Sequence, residues 1–230
     1  DTALHINTLG PLRVLDLAKE CTKQVTMAHV STCYVNSSRE GLVKEEPIAP
    51  NLAMTSSSGT PYDVDTEVMA LTRFMERVES QSRQRWRQPM FGWRIRRQNK
   101  SHGVSPYEEK ASALDRLRRD WVDRRLVSEG MRWAQYRGWN DTYTFTKGMG
   151  EQLLIRHCDE VPTIILRPSI IESAMESPAP GWLEGMRMID PLIVAYGRNQ
   201  LPDFPGDIMD KIVVNRSQAG PNSVTLFARA

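Results

Sequence analysis

Tyr143 and Lys147 stand four residues apart in Tyr143-Thr-Phe-Thr-Lys147, and two adjacent hydroxyls, Ser31 and Thr32, close an apolar run far upstream. On a helix capped by Asp141 or Thr142, that spacing projects phenol and ammonium from one face. A phenol ordinarily ionises near pH ~10; a cation held beside it favours the phenolate, so the tyrosine exchanges protons more readily near neutrality. A hydroxyl from Ser31 or Thr32 would hold a substrate carbonyl against that phenol. The four residues therefore suit proton transfer at a carbonyl oxygen. The pentapeptide alone also arises by chance on many helices, with the lysine solvated and the tyrosine half-buried, so its neighbours decide its meaning.

Those groups need strand ends and helix faces to hold them. Gln24-Val-Thr-Met-Ala-His-Val30 reads as a strand with Ser31 and Thr32 at its carboxyl end, outside which ligands gather in parallel sheets. Alternation does not choose between the two hydroxyls, because a one-residue shift reverses the face. The tyrosine–lysine helix carries Gly148 and Gly150, each costing about 1 kcal/mol against alanine inside a helix unless a neighbouring backbone comes close. Val161-Pro-Thr-Ile-Ile-Leu166 predicts a short buried strand leading into Arg167-Pro168-Ser169-Ile170. Upstream, Leu4, Leu9, Leu12, Val14, Leu15, Leu17 and Ala18 predict a helix over 4–20 packed broadly against a sheet. Residues 36–62, rich in Ser, Pro, Gly and Asn, predict a long loop. Val68, Leu71, Phe74, Met75 and Val78 mark a helix after Asp65, and Leu114, Leu117, Trp121 and Val122 mark another.

The chain has 230 residues, enough for one domain with a sizeable core. Apolar residues at 40% and charged ones at 25% describe an ordinary globular chain rather than a disordered tail. A formal charge of +2 gives no general case for nucleic acid. The charge is uneven, however: seven Lys/Arg and no Asp/Glu lie between Gln81 and Tyr107, interleaved with Trp86, Phe91 and Trp93. This stretch is either a solvated insertion with aromatic anchors or a patch that attracts phosphates, and no nucleic-acid-reading motif accompanies it. Cys21, Cys33 and Cys158 are odd in number and share no Cys-x-x-Cys spacing, which argues for a reducing compartment and against zinc. No run of 18 uncharged apolar residues occurs, and the N-terminus lacks a secretory pattern.

Three motifs occur in order: His29-Val-Ser-Thr-Cys-Tyr-Val-Asn36; Asp141-Thr-Tyr-Thr-Phe-Thr-Lys147 with Gly150-Glu-Gln-Leu-Leu154; and Leu166-Arg-Pro-Ser-Ile-Ile-Glu-Ser173, running into Glu176-Ser-Pro-Ala-Pro-Gly-Trp-Leu-Glu-Gly185. Together they resemble the extended short-chain dehydrogenases, and within them the alcohol-forming fatty acyl-CoA reductases, especially the bacterial form. The likeness covers most of the chain and thins over 80–130 and after 205. It implies an α/β, Rossmann-like doubly wound parallel sheet of the extended short-chain dehydrogenase type, seen here without its N-terminal glycine-rich half. A family member would open with a strand and a Gly-x-x-Gly-x-x-Gly loop for the cofactor pyrophosphate, and the sequence contains no such loop. Roughly 100–150 residues of a βαβαβ half are therefore expected before Asp1. Residues 1–230 would form one domain, the C-terminal part of an NAD(P)-binding reductase domain, with 37–140 a mostly helical and loop insertion and 168–205 a substrate-side segment. Asp207-Ile-Met-Asp-Lys-Ile-Val-Val-Asn215 looks like a shortened family pattern, so residues are expected to be missing around 205–220.

The resemblance assigns catalysis to Thr32, Tyr143 and Lys147, choosing Thr32 and leaving Ser31 to satisfy local backbone. Ser31, Tyr143, Lys147, Pro168, Ser169 and Ile170 would bind the cofactor, which the family implies is NADPH (NADP+), and no metal is expected. Asn7, spaced Asn-x-x-Gly with Gly10, would support the tyrosine–lysine arrangement through backbone or water contacts; a surface asparagine beside a packing glycine is the alternative. Cys33 reads as a small buried residue, since the family transfers hydride directly. The implied partner is a long-chain acyl-CoA or acyl-carrier thioester, whose phosphates the basic stretch would attract. Pro178, Pro180, Gly181, Trp182, Leu183 and Met186 would cover its chain, at about 0.8 kcal/mol per buried methylene. The implied reaction runs through the aldehyde to the primary alcohol in the cytoplasm, with peripheral membrane association open and oligomeric state unspecified. Two other classes stay open: a short-chain dehydrogenase acting on a nucleotide sugar or small ketone, which needs a polar pocket, and a non-catalytic Rossmann-like binding module.

Overall fold

The computed structural model describes residues 2–37, 39, 43–54, 62–84, 108–158, 161–169, 174, 176–182, 185 and 190–201. The basic stretch beyond Gln84, Ile170, Leu183, Met186 and everything after Leu201 lie outside the described residues. The chain opens with a π-helical segment, Leu4–Leu9, that runs into α1 (Gly10–Glu20). Pro11 has no N–H to offer the Asn7 carbonyl, its α-helical acceptor four residues back, and the turns before it widen accordingly. Leu4, Thr8, Pro11 and Leu15 are buried, but Val14 and Leu17 are 54% and 63% exposed. The broad apolar face expected of this helix is thus a narrow stripe. Leu15 packs with Met27, Leu154 and Val161, while Leu4 packs with Phe145, Met149 and Leu153, and among the described residues the sheet has two strands.

Strands β1 (Met27–Val30) and β2 (Thr163–Leu166) pair in parallel, with Met27 opposite Thr163 and Val30 opposite Leu166. The ladder continues beyond them: Ser31 N donates to Leu166 O at 2.7 Å and Cys33 N to Pro168 O at 2.9 Å. Met27 and His29 face inward while Ala28 and Val30 are exposed, and Ile164 on β2 is 52% exposed. The strand over 161–166 is therefore covered on one face among the described residues, not on both as its continuous apolar run suggested.

Among the described residues four further helices follow: α2 (Val64–Arg83), α3 (Glu108–Tyr136), α4 (Thr142–His157) and, after β2, α5 (Asp190–Gly197). Asp63 caps α2 by accepting from Thr66 N, so this helix starts just before Asp65. Asp141 caps α4 by accepting from Thr144 N at 2.7 Å, and Thr144 Oγ1 accepts from Asp141 N, a reciprocal capping box. α4 is the central helix: Thr144, Phe145, Thr146 and every residue from Gly148 to Leu154 are buried. On one side Phe145, Met149 and Leu153 pack with Leu4, Tyr62, Val64, Ala134 and Trp139. On the other, Leu154 joins Leu15, Met27 and Val161 between helices and sheet. Arg137 pins α2 to the end of α3 through a buried pair with Glu67, whose carboxylate also accepts from Trp133 Nε1. The parallel strands with α1 and α4 across one face form part of a Rossmann-like sheet.

Candidate active site

The carboxyl ends of β1 and β2 lie side by side, and α4 passes over them. Lys147 Nζ donates to the Val30 carbonyl at 3.0 Å, which places the ammonium directly before Ser31 and Thr32. Tyr143, one turn earlier on α4, is 49% exposed. The Cys33 to Pro168 hydrogen bond holds the turn containing Pro168 and Ser169, both buried, against the end of β1. Ser31, Thr32, Lys147, Pro168 and Ser169 are thus brought to one strand edge with Tyr143 on the helix above it, while Ile170 is outside the described residues.

The two hydroxyls divide their work differently from the family-based expectation. Thr32 is the cap of the 3-10 turn Cys33–Asn36, and its Oγ1 accepts from Tyr34 N at 3.3 Å. Ser31 Oγ is buried and makes no hydrogen bond among the described residues. The backbone-satisfying hydroxyl is therefore Thr32, because the chain turns immediately after it. Thr32 Oγ1 keeps its own proton free to donate, since it acts as acceptor in that contact.

Asn7 reaches this helix from the π-helical segment: its Nδ2 donates to Thr146 Oγ1 at 3.1 Å, and Thr8 Oγ1 donates to the Thr146 carbonyl at 2.8 Å. Asn7 is therefore not merely a surface asparagine. Gly150 supplies the close approach, since a Cβ there would lie 2.2 Å from the Asn7 carbonyl oxygen. Gly148 makes room for Trp139, whose Nε1 donates to the Val35 carbonyl at 3.0 Å and anchors the turn after Thr32.

Burial pushes the Lys147 ammonium down from the ordinary lysine range, and the Glu151 carboxylate one turn along α4 opposes that shift. His29, on the buried face of β1, is pushed down to about 4, first by burial and then by the Lys147 charge, so it is neutral near pH 7. Burial likewise raises the Cys33 thiol, in keeping with a small packed residue. His29, Glu151 and Arg167 were visible only as letters within motifs; their burial and charge relations belong to the tertiary structure. Among the described residues, no cluster of His, Cys, Asp or Glu could hold a metal ion, and no helix is long and apolar enough to cross a membrane.

Residues 1–216 match the NAD-binding family model described as male sterility protein. The chain is similar to the probable fatty acyl-CoA reductase 4 of Arabidopsis thaliana, at 34% identity over 218 residues, 94% of this chain and 37% of that protein. It is also similar to the probable fatty acyl-CoA reductase 5 of Arabidopsis thaliana, at 34% over 208 residues, 90% of this chain and 35% of that protein. The alcohol-forming fatty acyl-CoA reductase of Simmondsia chinensis is 31% identical over 215 residues, 92% of this chain and 36% of that protein. The chain thus spans a little over a third of the length of these relatives, all of them plant proteins.

Proposed function

Because this chain belongs to the male sterility protein family of NAD-binding domains, we propose that it serves an NADPH-dependent reductase of long-chain fatty acyl thioesters that yields the primary alcohol. The observation that carries the reading is the meeting of Thr32, Ser31, Lys147, Pro168 and Ser169 at the carboxyl ends of two parallel strands, under the helix bearing Tyr143. That donor set suits a nicotinamide riboside: Ser31 Oγ is buried without a partner among the described residues, and Lys147 and the exposed Tyr143 can meet ribose hydroxyls. When bound, NADPH would supply hydride to the acyl carbon. Thr32 and Tyr143 donate hydrogen bonds to the oxyanion that develops there, where fixed donors act most strongly. Lys147 holds the ribose and stabilises the phenolate that Tyr143 becomes after giving up its proton. Collapse of the first adduct would expel the thiolate, which takes a proton from solvent, and leave the aldehyde. A second hydride would reduce the aldehyde while Tyr143 gives the alkoxide its proton, so each acyl-CoA would consume two NADPH and two protons. The alcohol-forming outcome is supported by the motifs and by the Simmondsia chinensis relative's description. Free Cys21, Cys33 and Cys158 support a reducing, cytoplasmic setting.

The test mixes the full-length protein with palmitoyl-CoA and either NADPH or NADH, following cofactor absorbance and identifying products by mass. Hexadecanol with NADPH is expected. Aldehyde as sole product under excess cofactor would refute the alcohol-forming part, preference for NADH would refute the cofactor choice, and no cofactor oxidation would refute the whole reading.

A further inference from the structure

Glu151 has no part in the chemistry above, yet it is fully buried and follows Tyr143 and Lys147 on α4 at successive four-residue intervals. Its carboxylate accepts three hydrogen bonds from one guanidinium: Arg167 Nε donates to Oε1 and Oε2 at 3.1 Å each, and Nη2 donates to Oε2 at 2.6 Å. Arg167 lies between the last residue of β2 and Pro168, and its Nη1 donates to the Glu46 carbonyl at 3.1 Å. The pair therefore joins the tyrosine–lysine helix, the exit of β2 and the 43–54 loop at the level of the site. A buried ion pair adds little net stability over a well-packed apolar pair, because desolvation offsets the attraction. Stability alone is a weak reason for a carboxylate at this position.

The charges around Lys147 supply a stronger one. His29 from β1 feels the Lys147 charge, Tyr143 and Glu151 lie one turn before and one turn after Lys147 on its own helix, and Arg167 is bound to Glu151. Glu151 is the carboxylate in this group, and it acts on Lys147 against the cost of burial. We propose that Glu151 is a positioning residue: clamped by Arg167 one turn from Lys147, its carboxylate is a counter-charge that favours the ammonium beside Tyr143 and fixes α4 against the turn of Pro168 and Ser169. The inference rests on the function proposed above only in giving Lys147 a part in the reaction.

The test titrates Lys147 Nζ by NMR in the full-length protein carrying 13C-labelled lysine, with the resonance assigned by its loss in Lys147→Arg. In Glu151→Gln the midpoint should fall by roughly one pH unit, as removal of a close opposite charge requires. In Arg167→Met the carboxylate loses its guanidinium and acts unopposed, so the midpoint should rise. A clamp with a merely structural role loosens the site in both variants and predicts no such opposition of sign. The double variant Glu151→Met/Arg167→Met leaves neither member of the clamp unpaired, so it covers the case in which a single variant fails to fold; its midpoint should fall. In acyl-CoA-dependent NADPH oxidation, the alkaline limb of kcat/KM should move with these midpoints. A wild-type protein that oxidises no NADPH would refute the proposed function and leave the titration to decide the role of Glu151. Unchanged midpoints in folded variants, or shifts of one sign in Glu151→Gln and Arg167→Met, overturn the inference.

Discussion

Replacing Gly150 by alanine places a methyl group where the backbone of the π-helical segment already lies. The new Cβ would stand 2.2 Å from the Asn7 carbonyl oxygen, 3.3 Å from its carbon and 3.5 Å from Thr8 Cα. The first contact is about 1 Å short of van der Waals separation, and the obstacle is backbone, which cannot rotate aside as a side chain can. Opening that gap stretches both hydrogen bonds from Asn7 and Thr8 to Thr146, each worth about 1 kcal/mol net. Overpacking adds about 1–3 kcal/mol, while the better helix propensity of alanine returns about 1 kcal/mol. A net loss near 3 kcal/mol is expected. Gly148→Ala is the control: its Cβ would meet Trp139 Nε1 at 3.0 Å, a side-chain contact that a few tenths of an ångström relieve, so its cost should stay within about 1 kcal/mol. Urea unfolding of the full-length protein followed by intrinsic fluorescence measures both, and amide exchange at residues 4–9 locates the damage. Gly150→Ala as stable as the wild type, or less damaging than Gly148→Ala, would show that the π-helical segment is not held against α4 as described.

Tyr143→Phe, at a half-exposed position, should fold normally and lose roughly 10²–10⁴ in kcat, whereas Lys147→Ala should also weaken NADPH binding; single-turnover kinetics and cofactor Kd separate them, and a wild-type rate for Tyr143→Phe across the pH profile would make the tyrosine structural. Ser31→Ala removes a buried hydroxyl that has no partner among the described residues and should leave thermal stability unchanged or slightly higher, while Thr32→Val strands Tyr34 N and should cost about 1 kcal/mol; the reverse order of melting temperatures would mean that the hydroxyls are assigned the wrong way round. His29 stays neutral in the folded protein down to about pH 4 but takes up a proton near 6.5 when unfolded, so its contribution is full above pH 6.5 and is lost as pH falls toward 4, by about 3 kcal/mol. Denaturant unfolding of His29→Gln between those pH values should show a shallower acid limb than the wild type; equal limbs would contradict the buried neutral imidazole.

The chemistry-bearing residues were legible in the sequence wherever a local rule placed them. Asp141 is a cap because its side chain sits three residues before an N–H it can reach, and Tyr143 and Lys147 share a helical stripe because their spacing is four. The glycines were legible as a cost without a beneficiary: nothing near residue 150 in the sequence says that the backbone of residue 7 lies against it. Register was the harder case. Alternation sorts Met27 and His29 from Ala28 and Val30, but it ends where the strand ends, and Thr32 belongs to the turn that follows. Its oxygen is engaged by Tyr34 N because the chain folds back there, an event that no period of two encodes.

The same limit explains why Glu151 and Arg167 gave no signal. Sixteen residues separate them, beyond any helical pairing rule, and each alone reads as an ordinary charged residue within a motif. Folding converts them into a buried pair whose negative member lies one turn from Lys147. What a family pattern keeps at the end of a strand is therefore only half of such a site. The other half is the electrostatic setting of the lysine, where the Glu151 carboxylate opposes the effect of burial, and here a helix and a strand exit contribute that setting jointly.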